Sequence, residues 1–141
     1  MSETLLQFDG SAHAHLQVGG AGYAIYAVRP AALELIHHGA IGLSPCSDNI
    51  EAEAVALECG LTDLAEILDG TPDYDRQNLI VQGDILPLLR HVAGHGRFRR
   101  TDLSPTIESI RCYNVPHAKM VYLPREANKV ADFLAIRGAG K

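Results

Sequence analysis

The sequence predicts an α/β fold in which helices flank a five-stranded mixed β-sheet, antiparallel at one edge and parallel at the other. Three extended apolar segments follow one another in the first 43 residues, which predicts an antiparallel meander. A helix and then alternating strand-like and helix-like segments follow, and this alternation predicts parallel strands. At 141 residues without a repeat or a linker, residues 1–141 are expected to form a single domain.

The strands of the meander are bounded by turn-forming residues. We expect these strands at residues 5–9, 22–28 and 33–43. Asp9-Gly10 closes the first strand and Arg29-Pro30 separates the second from the third, because such pairs favour turns.

The clearest helix begins at Asn49, where the apolar period changes from that of a strand to that of a helix. Its apolar stripe consists of Ile50, Ala54, Leu57, Leu61, Leu64 and Leu68. The rest of the chain predicts strands at residues 78–81 and 120–123, and helices at residues 86–92, 104–113 and 125–137. Ser104-Pro105 provides a helix start, and Gly138 provides a helix end.

The composition is that of a globular protein with an acidic balance. Hydrophobic residues make up 47% of the chain, and the net charge of −5 argues against a protein that coats nucleic acid through bulk charge. The three cysteines are widely spaced, so neither a disulfide framework nor a zinc ribbon is expected. Neither a membrane span nor a signal peptide is indicated, so we expect a cytoplasmic protein without a membrane partner. Nothing in the sequence indicates the oligomeric state.

Two aspartates follow predicted strands at equivalent positions, Asp9 after the first strand and Asp84 after the strand that follows the long helix. If these strands are parallel neighbours, both carboxylates lie at the carboxyl ends of the sheet, where α/β folds place ligand sites. Taken alone, Asp9 is equally typical of an ordinary turn, and Asp84 of an ordinary helix N-cap. Glu53 borders the buried stripe of the long helix and adds a third acid, whereas Asp132 alone is typical of a helix surface.

Four motifs resemble those of the ribonuclease H family, specifically its reverse-transcriptase-like branch. They are Phe8-Asp9-Gly10-Ser11 followed by residues 19–25, Ala52-Glu53 with Ala56-Leu57 and Gly60-Leu61, Val81-Gln82-Gly83-Asp84, and residues 123–132. They occur in the family's order and cover nearly the whole chain. The resemblance implies that Asp9, Glu53, Asp84 and Asp132 are the catalytic acids.

The resemblance also implies a reaction. The four acids would bind two Mg²⁺ ions, with Mn²⁺ as a possible substitute, because carboxylates are the ligands that such hard cations prefer. We therefore expect an endonuclease whose partner is an RNA–DNA hybrid and which hydrolyses the RNA strand to a 5′-phosphate and a 3′-hydroxyl. The alternatives are a 3′–5′ exonuclease of the same fold and a catalytically inactive module that binds nucleic acid or a partner protein.

Two groups of residues are expected to contact the substrate. The resemblance implies contacts from Gly10, Ser11 and Asn128, near the motifs where the family distinguishes RNA from DNA. The densest basic segment is residues 95–100, in which Phe98 is expected to pack inward. Its arginines, Arg97, Arg99 and Arg100, are expected to contact phosphates of the DNA strand.

The chain departs from the family at two places. Asn-Pro-Gly does not follow the first aspartate, and Pro124-Arg125-Glu126 stands where many relatives place a mobile histidine.

Overall fold

The computed structural model describes residues 3–69, 78–113 and 118–140. The strands are β1 (Glu3–His13), β2 (Val18–Val28), β3 (Leu33–Leu43), β4 (Leu79–Gly83) and β5 (Lys119–Tyr122). The helices are α1 (Asn49–Asp69), α2 (Leu86–Val92), α3 (Ser104–Tyr113) and α4 (Lys129–Gly138). Short 3₁₀ turns occupy Ala14–Leu16, Thr101–Leu103 and Arg125–Ala127.

The described strands form one five-stranded sheet in the order β3-β2-β1-β4-β5. β1 pairs with β2, and β2 with β3, in antiparallel fashion. β4 lies parallel to both β1 and β5. The mixed sheet with an antiparallel meander at one edge and parallel strands at the other confirms the predicted fold class.

The larger core lies between α1 and one face of the sheet. It includes Leu6 and Phe8 of β1, Ile25 of β2, and Leu57 and Leu61 of α1, all of which are fully or almost fully buried. Burial of each such side chain contributes roughly 1.5–3 kcal/mol. This packing explains the helical stripe seen in the sequence, although the placement of the Leu68 side chain lies outside the described residues.

The opposite face of the sheet is covered by α4. Leu134 packs with Leu5, Ala24 and Tyr26 in a second, smaller core. A Cβ atom at Gly22 would lie 2.3 Å from the backbone nitrogen of Ala135, so this glycine lets the α4 backbone rest directly on β2. α4 is therefore held at a fixed depth above the sheet.

Several predicted boundaries are wrong: β2, for example, begins at Val18 rather than at residue 22, and two other boundaries lie beside the acids. Asp9-Gly10 does not end β1, which continues to His13 because its antiparallel pairing with β2 extends to the pair His13 and Val18. The closing helix begins at Lys129, since Asn128 has the non-helical angles φ −106° and ψ 41°. The sequence pattern of this helix predicts that Val130 faces inward with Ala131 and Leu134, but 43% of the Val130 surface is exposed. No helix among the described residues is long and apolar enough to cross a membrane.

Candidate active site

The two aspartates are brought together by the parallel pairing of β1 with β4. The last aligned pair of residues is Gln7 with Gln82. Asp9 and Asp84 each come two residues after this pair, at the carboxyl end of the parallel part of the sheet. The predicted equivalence of the two positions is therefore correct, although Asp9 lies inside a strand rather than after it.

Glu53 joins them because the first turns of α1 press against β1. A Cβ atom at Gly10 would lie 2.3 Å from the backbone nitrogen of Glu53, so only glycine permits this approach. Side-chain atoms of Asp48 and Asn49 fix the same end of the helix. Asp48 Oδ1 accepts a hydrogen bond from the Glu51 N–H at 2.9 Å, and Asn49 Oδ1 accepts one from the Ala12 N–H of β1 at 2.8 Å.

Carboxylate oxygens of Asp9, Glu53 and Asp84 all lie within 4.8 Å of one another. Asp9 and Glu53 are almost completely buried, with 2% and 6% of their surfaces exposed. Asp9 Oδ1 accepts a hydrogen bond from the Gly10 N–H at 2.9 Å. Asp9 Oδ2 and Glu53 Oε2, however, are buried without a hydrogen-bond partner among the described residues. Buried oxygens without donors fit a divalent cation, which favours such hard oxygen ligands.

The electrostatics of this acidic triad, Asp9, Glu53 and Asp84, are those of crowded acids. Burial raises the pKa of the Glu53 carboxyl far above its usual range, and the charges of Asp9 and Asp84 raise it further. Burial also raises the pKa of Asp9, and the neighbouring carboxylates of Asp132 and Asp84 add to the rise. Without a cation, the ionised triad is therefore an unfavourable feature of the folded protein.

Asp132 lies in the first turn of α4, beside the triad, and unlike the three triad acids it pairs with an arginine. Arg125 Nη2 donates to Asp132 Oδ1 at 3.4 Å. The negative charge of Asp132, followed by those of Asp9 and Asp84, raises the pKa of the Arg125 guanidinium. The structure thus places Asp132 close to Asp9 and pairs it with Arg125.

The triad lines an open pocket of about 320 Å³. The pocket-lining residues are Asp9, Gly10, Asn49, Glu53, Asp84, Ile85, Tyr122 and Arg125. Sequence reasoning did not assign Asn49, Tyr122 or Arg125 to the site. Arg125 offered one signal, since it stands where the family places a histidine, whereas Tyr122 ends a strand like many other aromatic residues.

The residues predicted to contact RNA have different environments. Gly10 lines the pocket, whereas Ser11 is buried with 6% of its surface exposed. Asn128 is completely buried, and its Nδ2 donates to the carbonyl oxygen of Phe8 at 2.8 Å. Asn128 therefore connects the start of α4 to the residue that precedes Asp9.

The basic segment, residues 95–100, is held in place by an aromatic side chain and by ion pairs. Phe98 packs against the main core, as predicted, and stacks on His91 with 5.9 Å between ring centroids. Arg97 and Arg99 are exposed. Arg100 forms ion pairs with Asp48, at the start of α1, and with Asp102. The segment is thus fixed beside the helix that carries Glu53.

The raised pKa values of Asp9 and Glu53 predict how stability depends on pH. A folded-state pKa above the unfolded value contributes stability at acid pH that is lost as pH rises through the folded pKa. We therefore expect the metal-free protein to lose stability as pH rises above about 4, the ordinary carboxyl pKa, with the contribution of Asp9 lost by about pH 6 and that of Glu53 still falling through the neutral range. Denaturant unfolding in EDTA at several pH values measures this, and added Mg²⁺ should reduce the loss. If the free energy of unfolding of Glu53→Gln depended on pH as steeply as that of the wild type, the loss of stability could not be assigned to Glu53.

Comparison with known proteins identifies the relatives of this chain. Among solved structures, RNase H1 from the halophilic archaeon Halobacterium salinarum NRC-1 has 21% identity, with 96% of each chain covered and a TM-score of 0.74. LC11-RNase H1, isolated from compost by a metagenomic approach, has 24% identity, with 99% of this chain and 97% of its own covered and a TM-score of 0.77. The N-terminal RNase H domain of a Mycobacterium tuberculosis protein has 18% identity, with coverages of 99% and 95% and a TM-score of 0.77.

These similarities show a shared fold. No curated protein matches the chain by sequence. The family described as reverse transcriptase-like, however, matches residues 7–138. Because that match spans nearly the whole sequence and all four acids, the chain belongs to the reverse transcriptase-like family and has the ribonuclease H fold.

Proposed function

We propose that this protein is a magnesium-dependent endonuclease that hydrolyses the RNA strand of RNA–DNA hybrids, leaving a 5′-phosphate and a 3′-hydroxyl. The observation that carries the proposal is the acidic triad, in which two buried oxygens, Asp9 Oδ2 and Glu53 Oε2, lack hydrogen-bond donors among the described residues. LC11-RNase H1, which shares the fold at 23% identity, was solved in complex with an RNA/DNA hybrid. That complex supports a hybrid as the substrate class.

We propose that the four acids hold two cations. Asp9, Glu53 and Asp84 would hold one Mg²⁺ ion, and Asp132 with Asp9 would hold another, with Mn²⁺ as a substitute. When bound, such ions activate an attacking water and stabilise the leaving oxygen. The four acids lie on β1, α1, α4 and directly after β4, so their relative positions are set by packed elements rather than by long loops.

The chain itself supplies the surroundings of the reacting phosphate. The backbone of Gly10 and the side chains of Asn49 and Tyr122 line the pocket, where a ribose would lie beside the scissile phosphate. Recognition of RNA requires contacts to the 2′-hydroxyl, which a backbone group or an amide provides. We therefore expect discrimination between RNA and DNA to depend on this part of the pocket.

An acidic protein needs a local basic surface to hold a polyanion. Arg97 and Arg99 are exposed and have no acidic partner among the described residues, whereas Arg100 already pairs with two aspartates. We expect the double variant Arg97→Ala/Arg99→Ala to raise KM and to leave the single-turnover rate at saturation nearly unchanged. The slope of log affinity against log salt should fall by about 0.9 per lost phosphate contact.

Two single variants serve as comparisons for this double variant. Arg100→Ala should lower stability, because it removes both ion pairs, but should leave the salt slope unchanged. Arg29→Ala removes an exposed charge near the connection between β2 and β3 and should alter neither KM nor the salt slope. An unchanged KM and salt slope in the double variant would show that the basic segment does not bind the substrate.

A cleavage assay tests the proposed function. An RNA–DNA hybrid labelled at the 5′ end of its RNA strand is incubated with the protein and Mg²⁺, beside duplex DNA and duplex RNA of the same sequence. Internal cuts restricted to the hybrid, abolished by EDTA, are expected, and polymerase extension of the fragments would demonstrate their 3′-hydroxyls. Stepwise shortening from the 3′ end would instead indicate the exonuclease. Binding without cleavage would indicate the inactive module.

A further inference from the structure

Arg125 is a basic side chain on the wall of an acidic pocket. It begins the 3₁₀ turn Arg125–Ala127, which connects β5 to α4, and its guanidinium is directed to Asp132. The Nη2···Oδ1 distance is 3.4 Å, and the Arg125 side chain is 68% exposed. The pair is therefore a loose contact at the pocket rim that can exchange with solvent or with another ion.

Asp132 consequently differs from the other three acids. Oxygens of Asp9, Glu53 and Asp84 already lie within 4.8 Å of one another. Asp9 and Glu53 each have a buried oxygen that accepts no hydrogen bond from the described residues. Asp132 lies beside Asp9 but does not belong to that group, and it accepts a hydrogen bond from Arg125. The free protein therefore offers one cluster ready for a cation and one further ligand that its own arginine engages.

We propose that Arg125 competes with a divalent cation for Asp132, so that the free protein takes up one cation at the triad and a second only after Arg125 has left Asp132. The inference rests on the proposed function, in which the second ion takes part in phosphodiester cleavage. A guanidinium binds phosphate oxygens through paired hydrogen bonds. A substrate phosphate in the pocket thus gives Arg125 an alternative partner, and Asp132 is then free to bind the second ion.

The test is a titration of metal-free protein with Mn²⁺, without nucleic acid, followed by calorimetry and by the electron paramagnetic resonance of free Mn²⁺. In the wild type we expect one stronger site and a second, weaker one. Arg125→Ala should bind the second ion about two- to fivefold more tightly, the range corresponding to loss of an exposed ion pair. Arg125→Lys, which keeps the charge, should stay close to the wild type.

Two further variants separate direct competition from a general effect of charge. Lys129→Ala removes an exposed positive charge one turn before Asp132 and should leave the second site unchanged. The double variant Arg125→Ala/Asp132→Asn should lose the gain, because the freed ligand is absent. A gain that persists in the double variant, or that appears equally in Lys129→Ala, would overturn the competition.

The outcome is independent of the cleavage assay. If the wild type fails to cut hybrid, the proposed function is wrong, whatever the titration shows. If the wild type cuts hybrid but Arg125→Ala binds the second ion with unchanged affinity, the role of Arg125 is wrong and the proposed function stands. In active protein the half-saturating Mg²⁺ concentration for cleavage should fall in Arg125→Ala and remain unchanged in Lys129→Ala.

Discussion

Replacing Asp84 with asparagine is expected to lower the single-turnover rate of hybrid cleavage by about a thousandfold or more, since loss of a charged metal ligand removes several kcal/mol of transition-state stabilisation. Asparagine keeps the shape of the side chain, and Asp84 is only partly buried, so the fold should persist. The metal-free variant should even be more stable at neutral pH, because the charge of Asp84 raises the pKa values of Asp9 and Glu53.

Glu66→Gln is the matched control for this prediction. It removes one negative charge from an exposed position on α1, the helix that carries Glu53. It should cleave at the wild-type rate and show the wild-type rise in melting temperature with Mn²⁺, whereas Asp84→Asn should lose most of that rise. Cleavage by Asp84→Asn at close to the wild-type rate, with unchanged circular dichroism, would remove Asp84 from the site.

The elements that pack through a regular apolar pattern were predictable from the sequence. The bounds of β3 agree with the prediction, and α1 begins at Asn49 as expected. Both depend on local periodicity, which the sequence displays directly. The proximity of Asp9 and Asp84 was also predictable, because parallel strands place equivalent positions at the same edge of a sheet.

Features that depend on the exact extent of a pairing or on the path of a turn were not predictable. The continuation of β1 past Gly10 depends on its pairing with β2, and a local Asp-Gly pair predicts a turn instead. The contact of Arg125 with Asp132 requires the particular path of the turn between β5 and α4. The burial of Asn128 depends on how deeply α4 rests on the sheet, which glycines of β2 determine.

Asn128 provides the second large expected effect. Its buried side-chain Nδ2 donates to the Phe8 carbonyl at 2.8 Å, and its backbone carbonyl accepts from the Asp132 N–H at 3.1 Å. One residue thereby links the backbone beside Asp9 to that of Asp132. We expect Asn128→Ala to lower the free energy of unfolding by about 1–3 kcal/mol, the cost of leaving a buried hydrogen-bonding group unpaired.

The same variant should cleave hybrid more slowly, even when it is fully folded and saturated with Mg²⁺. Displacement of catalytic groups by about 1 Å lowers rates roughly tenfold to a hundredfold. The comparison is Leu134→Ala, which removes a buried side chain from the same helix at a cost of about 2–5 kcal/mol but breaks no hydrogen bond to β1. Leu134→Ala should retain the wild-type single-turnover rate at a temperature where both variants are folded. If Asn128→Ala also retains that rate, Asn128 stabilises the fold without positioning Asp9 and Asp132.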